Sequence, residues 1–273
     1  MPDTLMFSII TVCYNSEKTI ERTIRSVLNQ QFTDYEYIIV DGGSTDNTLD
    51  IIKKYEVLFN GKLKWKSEPD KGIYDAFNKG IRRSNGIYIW IVNSDDFIES
   101  DALERIYCVI QEEVRNPDTI ISAKLNYIDE NTHKVLYTGY KDASTAKQCY
   151  KLDKMGITHP ATIVSKSVYD KYGLFDDRYK LLGDMEWFHR IYSTDVSIIF
   201  KDEVVSNMSN AGISGQYSWK RFKISYADRK LYFRTYYKNI LLREGRKFFW
   251  VMDFVRVALK KDWHEDGNSH NPS

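Results

Sequence analysis

In the stretch IYIWIVNSDD, residues 87–96, an apolar run ends in Asn93, Ser94 and two adjacent carboxylates, Asp95 and Asp96. Like charges side by side push one carboxyl pKa upward unless something positive is shared between them. A divalent cation meets that need, and hard oxygen ligands select Mg²⁺ or Mn²⁺. A lone acid pair is more often a solvated turn or a helix cap, so the meaning of this one depends on its company. Asp41-Gly42-Gly43-Ser44 sets another carboxylate beside two glycines that let backbone approach a ligand. It has neither the GxGxxG spacing of dinucleotide binders nor the GxxxxGK[ST] spacing of phosphate-cradling loops, which argues against both modes. Lys71-Gly72 offers a cation and free amides of the kind that receive phosphate at a helix start.

Elements that would position these groups can be read from periodicity. Phe7 to Cys13, Tyr35 to Val40, Leu63 to Lys66 and Ile87 to Val92 read as strands. Between them, Ser16 is a candidate cap for a helix with Ile20, Ile24, Val27 and Leu28 on one face. Ser44, Thr45 or Asp46 would cap a second helix carrying Leu49 and Ile52, and a third begins after Gly72, with Ile73, Phe77, Gly80 and Ile81 aligned before an Asn85-Gly86 stop. Strands alternating with helices imply right-handed crossovers and an α/β fold with a mostly parallel central sheet. Ligands of such sheets collect outside the carboxyl ends of the strands, and all the polar clusters above fall there.

With 273 residues, 42% of them hydrophobic, the chain can bury a large core. Cys13, Cys108 and Cys149 form neither a disulfide framework nor a zinc motif, and a reducing cytoplasm fits them best. The apolar run from Phe7 to Tyr14 is too short to span a membrane and lacks the flanks of a secretory leader, so no export signal is expected. Net charge is only +1, yet residues 216–263 carry 13 Lys and Arg against four acids, leaving the rest acidic. That division suggests an anionic contact for the tail, with a solvated basic face as the alternative.

Taken in order, FSIITVCYNSEKTIERTIRSVLNQQFTDYEYIIVDGGSTDNTLDII, SEPDKGIYDAFNKGI and GIYIWIVNSDD closely resemble the family 2 glycosyltransferases, inverting enzymes of GT-A fold. The resemblance resumes in HPATIVSKSVYDKYGLFDDRYKLLGDMEWFHR and spans roughly residues 6–215. It implies a nucleotide-diphosphate sugar donor, UDP by family habit. Thr11, Val12, Tyr14 and Glu17 would line the nucleoside pocket, with Asp41 bonded to the base and Ser44 nearby. Lys71, Gly72 and Asp75 match the second donor-binding segment. Asn93-Ser94-Asp95-Asp96 stands where the family has DxD, with Asn93 in place of the first acid; Asp95 is then the first candidate for the metal and Asp96 the second.

Inverting transfer needs a base opposite the leaving diphosphate. The resemblance places it at Asp184 in Gly183-Asp184-Met185-Glu186, where Gly183 replaces an acid and Glu186 is the fallback. Without the resemblance, Asp184 would be read as a cap for the helix that follows. His159, Trp187 and Arg190 belong to the acceptor side, His159 with a metal-side alternative, Trp187 as a stacking surface and Arg190 with a structural ion pair as its alternative. The organisation expected is a catalytic region over 1–215, divided near residue 100 into donor and acceptor halves, a basic aromatic helical extension over 216–263, and a disordered end over 264–273. KFFWVMDFVRVALKK, residues 247–261, is too short and charged to cross a bilayer; it would lie on an anionic membrane or pack on protein. No recognition motif supports nucleic-acid binding. The acceptor implied is a saccharide or lipid-linked saccharide in surface polysaccharide synthesis. Nucleotidyl transfer to sugar phosphates and a non-catalytic nucleotide-binding module are the alternatives.

Overall fold

The computed structural model describes residues 5–209 and 219–258. The first half alternates as expected: β1 (Phe7–Cys13), α1 (Ile20–Leu28), β2 (Tyr35–Asp41), α2 (Thr48–Glu56), β3 (Leu63–Ser67), α3 (Ile73–Arg83) and β4 (Tyr88–Ile91). There follow β5 (Phe97–Ile98), α4 (Ala102–Glu113), β6 (Thr119–Ile128), β7 (Val135–Gly139), α5 (Ala143–Lys151), β8 (Thr162–Ser165), α6 (Lys166–Tyr172), α7 (Gly183–Tyr192) and β9 (Ser197–Ser209). Two helices close the described chain, α8 (Trp219–Tyr236) and α9 (Ile240–Ala258).

One sheet runs in the order β3-β2-β1-β4-β8-β6-β9-β5, with β7 on β6. Its β3-β2-β1-β4 half is parallel; past β4 it is mixed, with β8 antiparallel to both neighbours and β9 parallel to β6. In a flat sheet β5 would lie roughly 19 Å from β4, four steps of about 4.8 Å. Only residues 92–96 join them, and the Asp96 amide folds back onto the Asn93 carbonyl at 3.0 Å. The sheet therefore curls, helped by register shifts between β6 and β9 at residues 122–125, until the Ile98 amide meets Ser26 Oγ on α1 at 3.2 Å. Curling seats the Asn93–Asp96 turn between α1 and the sheet.

Strand alternation sorts the core into two layers. Phe7, Ile9, Tyr37 and Ile39 face Ile20, Ile24 and Ile106 on one side. Ile10, Val12, Ile38 and Val40 face Phe77, Trp187, Tyr232 and Phe233 on the other. Because α8 supplies the last two, it is a wall of the second layer. It also ties down the segment ahead of α7, since the buried Asp228 carboxylate accepts the amides of Lys180, Leu181 and Leu182 at 2.7–3.2 Å. Helix α9 rests on α8 through Trp250, stacked on Phe222 at 5.9 Å, and is tethered by Arg246 to Asp153 at 3.1 Å. The remaining parts of the expected extension, 216–218 and 259–263, and the expected disordered end lie outside the described residues.

One capping expectation changes and another narrows to one residue. The Ser16 side chain caps nothing; its carbonyl instead accepts the Thr19 and Ile20 amides. Of Ser44, Thr45 and Asp46, it is Asp46 whose carboxylate meets the start of α2, at the Thr48 amide, 3.0 Å.

Candidate active site

A cleft of ≈ 880 Å³ opens at the carboxyl ends of β1 and β4, ahead of α3. Val12, Tyr14, Glu17 and Gly72 line it, and so do Asn93, Ser94, Asp95 and Asp96. Tyr14 is 62% exposed at the rim, where an aromatic face is open to a planar ring. Asp46 and Asp70 also line the cleft; both belong to polar clusters that the sequence places at this rim, although neither was expected to contact the donor. For Asp46, the second acid of DGGSTD was an available signal.

Other expected donor residues do not reach this surface. Thr11 alternates to the opposite face from Val12, is fully buried, and accepts the Tyr37 hydroxyl at 3.0 Å. Asp41, expected to bond a base, is fully buried and already occupied. Its oxygens accept the Gly43 and Ser44 amides and the Ser44 and Ser67 hydroxyls at 2.5–3.0 Å. Burial alone would raise its pKa, but these donors, Ser44 first, hold it below the usual carboxylate range. Asp41 thus holds the loop, and Ser44 links it to the Asn15 amide at 2.7 Å. Gly42 serves the same packing, for a Cβ there would sit 2.5 Å from Asp70 Oδ2. Asp75 reaches back to the Lys71 amide at 3.0 Å and to Lys79 at 3.1 Å, fastening the start of α3, while the Lys71 carbonyl accepts Lys180 Nζ at 2.5 Å.

The two carboxylates of the turn have separate surroundings. Asp96 is 1% exposed and points inward, accepting the Ser209 amide at 3.3 Å and Asn93 Nδ2 at 3.2 Å. Arg22 and Thr23 hold the turn by its backbone, at the Asp95 carbonyl (2.8 Å) and the Asp96 carbonyl (2.5 Å). Burial pushes both carboxyls upward in pKa, and the Asp95 charge pushes Asp96 further. Among the described residues the Asp95 carboxylate receives no side-chain donor, and the buried Asn93 Oδ1 has no hydrogen-bond partner. These residues fit a hard cation. Among the described residues no three His, Cys, Asp or Glu converge, and a Mg²⁺ or Mn²⁺ held by one or two carboxylates takes its other ligands from phosphate and water.

Beside the cleft, sharing Ile73, Asn93 and Met208 with it, lies a cavity of ≈ 350 Å³ that contains Asp184, His159 and Tyr74. Asp184 stands in the first turn of α7, where Oδ1 accepts the Met185 amide at 2.8 Å and the Tyr74 hydroxyl at 3.2 Å. Burial, then the Asp184 charge, holds the Tyr74 hydroxyl well above its usual pKa, so it stays a donor. Gly183 makes this contact possible, since a Cβ there would lie 2.8 Å from the Tyr74 ring. His159 stacks on Phe77 at 5.6 Å. Burial lowers its pKa, with Asp184 acting in the opposite sense, so the ring is neutral at pH 7. It accompanies Asp184 and not the carboxylates of the turn.

Two acceptor-side expectations, Trp187 and Glu186, are corrected, and Arg190 takes its alternative, a structural ion pair. Trp187 is 1% exposed, stacked on Tyr169 at 5.0 Å and bonded to the Gly173 carbonyl, so no sugar can stack on it. Arg190 is fixed by the Tyr172 and Leu174 carbonyls and by Glu186. Glu186 is buried under Arg190 and the Tyr236 hydroxyl, 2.7 Å away, which removes it as a fallback base. Tyr74, Thr158, Lys141 and Lys180 also line this cavity and were missed; only Tyr74 carried a signal, through the missing acid at Gly183.

The family model described as Glycosyl transferase family 2 matches residues 8–173. A glycosyltransferase of PGL/p-HBAD biosynthesis from Mycobacterium bovis is 29% identical over 189 residues, 69% of this chain and 70% of that protein. Among solved structures, S. aureus TarS 1-349 in complex with UDP-GlcNAc aligns with a TM-score of 0.66 at 23% identity, over 89% of this chain and 69% of that one. Of the longer TarS chain, the match spans 41%. Mannosyltransferase PcManGT from Pyrobaculum calidifontis, in complex with GDP-Man and Mn²⁺, aligns with a TM-score of 0.64 at 15% identity, over 95% and 75% of the two chains. Both likenesses are of fold, a GT-A sheet with helices after it.

Proposed function

This chain belongs to glycosyl transferase family 2, and from that premise we propose that it moves a sugar, with inversion, from a UDP-sugar to a saccharide or lipid-linked saccharide acceptor. The observation that carries the reading is the seam between the two cavities: Asn93 borders both, with Asp95 on one side and Asp184 on the other. A donor in the larger cleft would lay its base along Tyr14 and its diphosphate toward Asp95 and the Gly72 end of α3. In the smaller cavity Asp184, oriented by Tyr74, takes the proton of the acceptor hydroxyl as that oxygen attacks the anomeric carbon. A Mg²⁺ or Mn²⁺ ion held by Asp95 would neutralise charge on the departing diphosphate. Asp96 keeps the turn in shape, which is why Asp95 is the ligand of choice. The names of the relatives support a nucleotide-sugar donor, UDP in TarS.

A surface polysaccharide or glycolipid product is the biological reading, with the enzyme on the cytoplasmic face of a membrane. No described helix is long and apolar enough to cross one. Helix α9 exposes Leu241, Phe248 and Phe249 on a segment rich in Lys and Arg, which suits an anionic surface. Deleting residues 247–273 should weaken binding to anionic liposomes. The donor reading is tested by thermal stabilisation with UDP, with and without Mn²⁺; absence of a Mn²⁺-dependent shift with any nucleoside diphosphate overturns it.

A further inference from the structure

The cavity around Asp184 contains two cations with no ion-pair partner among the described residues. Among the described residues the Lys180 ammonium donates only to the Lys71 carbonyl, and that of Lys141 approaches only Cys149 Sγ, at 4.0 Å. Among the described residues Asp184 is the sole acid lining the cavity and His159 is neutral at pH 7, so their lining carries one positive charge in excess. Thr158 Oγ1, in the same lining, is buried without a hydrogen-bond partner. A buried hydroxyl left unpaired beside the half-buried Lys141, which has no acid, suits an anionic, oxygen-rich partner, and the exposed Lys180 adds a second positive charge at the mouth. Leu125, Tyr127 and Ile157 add an apolar wall suited to the C–H face of a pyranose.

We propose that the acceptor bears an anionic substituent, a carboxylate or a phosphate ester, which Lys141 and Lys180 receive while its hydroxyl faces Asp184. The inference rests on the acceptor reading of this cavity and deepens it. Nothing in the donor requires Lys141, which lines the smaller cavity only, whereas the diphosphate belongs beside Asp95 in the larger. Lys180 stands nearer the seam, on the carbonyl before Gly72. Its charge therefore needs a test against the donor as well.

The experiment uses the full chain and saturation-transfer NMR with three probes: methyl β-glucoside, methyl β-glucuronide and methyl β-glucoside 6-phosphate. At least one anionic probe should bind about tenfold more tightly than the neutral one, a preference that fades as salt is raised. The tighter of the two distinguishes a uronic acid from a sugar phosphate. Lys141→Gln should abolish most of the preference with UDP binding unchanged, and Lys141→Arg should restore it. Equal binding of the three probes, including no binding of any, overturns the proposal, as does a preference untouched by Lys141→Gln. If Lys180→Gln weakens UDP and not the anionic probe, the assignment of Lys180 is overturned. The same preference measured in Asp184→Asn separates the two claims, because it should persist there whether or not that variant still transfers sugar.

Discussion

The Tyr74 hydroxyl donates to Asp184 Oδ1 across 3.2 Å, from the first turn of one helix to the first turn of another 110 residues away. The contact exists because residue 183 is glycine: any Cβ would press on the Tyr74 ring at 2.8 Å. A position where the family resemblance has an acid is here given to an aromatic neighbour, and the second residue of the pair carries the carboxylate.

Asp184→Asn should leave UDP binding nearly intact while reducing transfer by at least about 10²-fold, the scale of a lost general base. Tyr74→Phe should keep the fold and slow transfer by about tenfold through loss of orientation, again with UDP affinity unchanged. Single-turnover kinetics beside calorimetric UDP titration check both. Normal transfer by Asp184→Asn would move the base elsewhere.

Gly183→Ala should destabilise the protein by roughly 1–3 kcal/mol, because the buried Tyr74 ring must give way. Gly245→Ala, where nothing lies within 4 Å of the added methyl, should instead be neutral or gain about 0.5–1 kcal/mol in the interior of α9. Denaturant melts of the two variants compare them directly.

Asp228→Ala leaves the amides of Lys180, Leu181 and Leu182 without their acceptor and should cost roughly 2–4 kcal/mol. Since those amides lead directly into α7, transfer should fall more than UDP binding. Hydrogen exchange at residues 180–182 should quicken in the variant.

One contribution to the pH dependence of stability comes from His159. Its folded pKa is depressed below the ordinary 6.5 by burial, so the folded state resists protonation. The stability this represents is complete above pH 6.5 and is lost as pH falls from there through the folded pKa. His159→Phe keeps the stack on Phe77 and removes the titration. Its Tm should fall less than that of the parent between pH 7 and pH 5.

Asp95→Asn should abolish the Mn²⁺-dependent part of UDP stabilisation and weaken UDP binding in Mn²⁺ by at least about tenfold. Asp96→Asn should act mainly on stability, because that carboxylate faces Ser209 and Asn93. The reverse pattern in a thermal-shift titration would exchange their roles.

Much of this was legible in the chain itself. The alternation of strands and helices through residue 92 and the gathering of polar clusters at the strand ends depend on spacing, and spacing is local, whereas the roles proposed for Asp95 and Asp184 come from the family resemblance. The Asn93–Asp96 turn ends a buried strand in two acids because one is spent on the Asn93 side chain and the Ser209 amide while the other faces the cleft.

What the tertiary structure decided was which side chains were free to act. Periodicity says that Trp187 and Arg190 share a helix with Asp184, but not that Tyr169 and the Tyr172–Leu174 backbone cover them. Likewise the DGG signature contains a carboxylate, and only folding showed Asp41 consumed by two amides, two hydroxyls and the Cys13 thiol while Asp95 received no side-chain donor among the described residues. Local pattern determines the face on which a residue stands; contacts between distant segments determine what covers that face, and a group already hydrogen-bonded in the core has little left to offer a ligand.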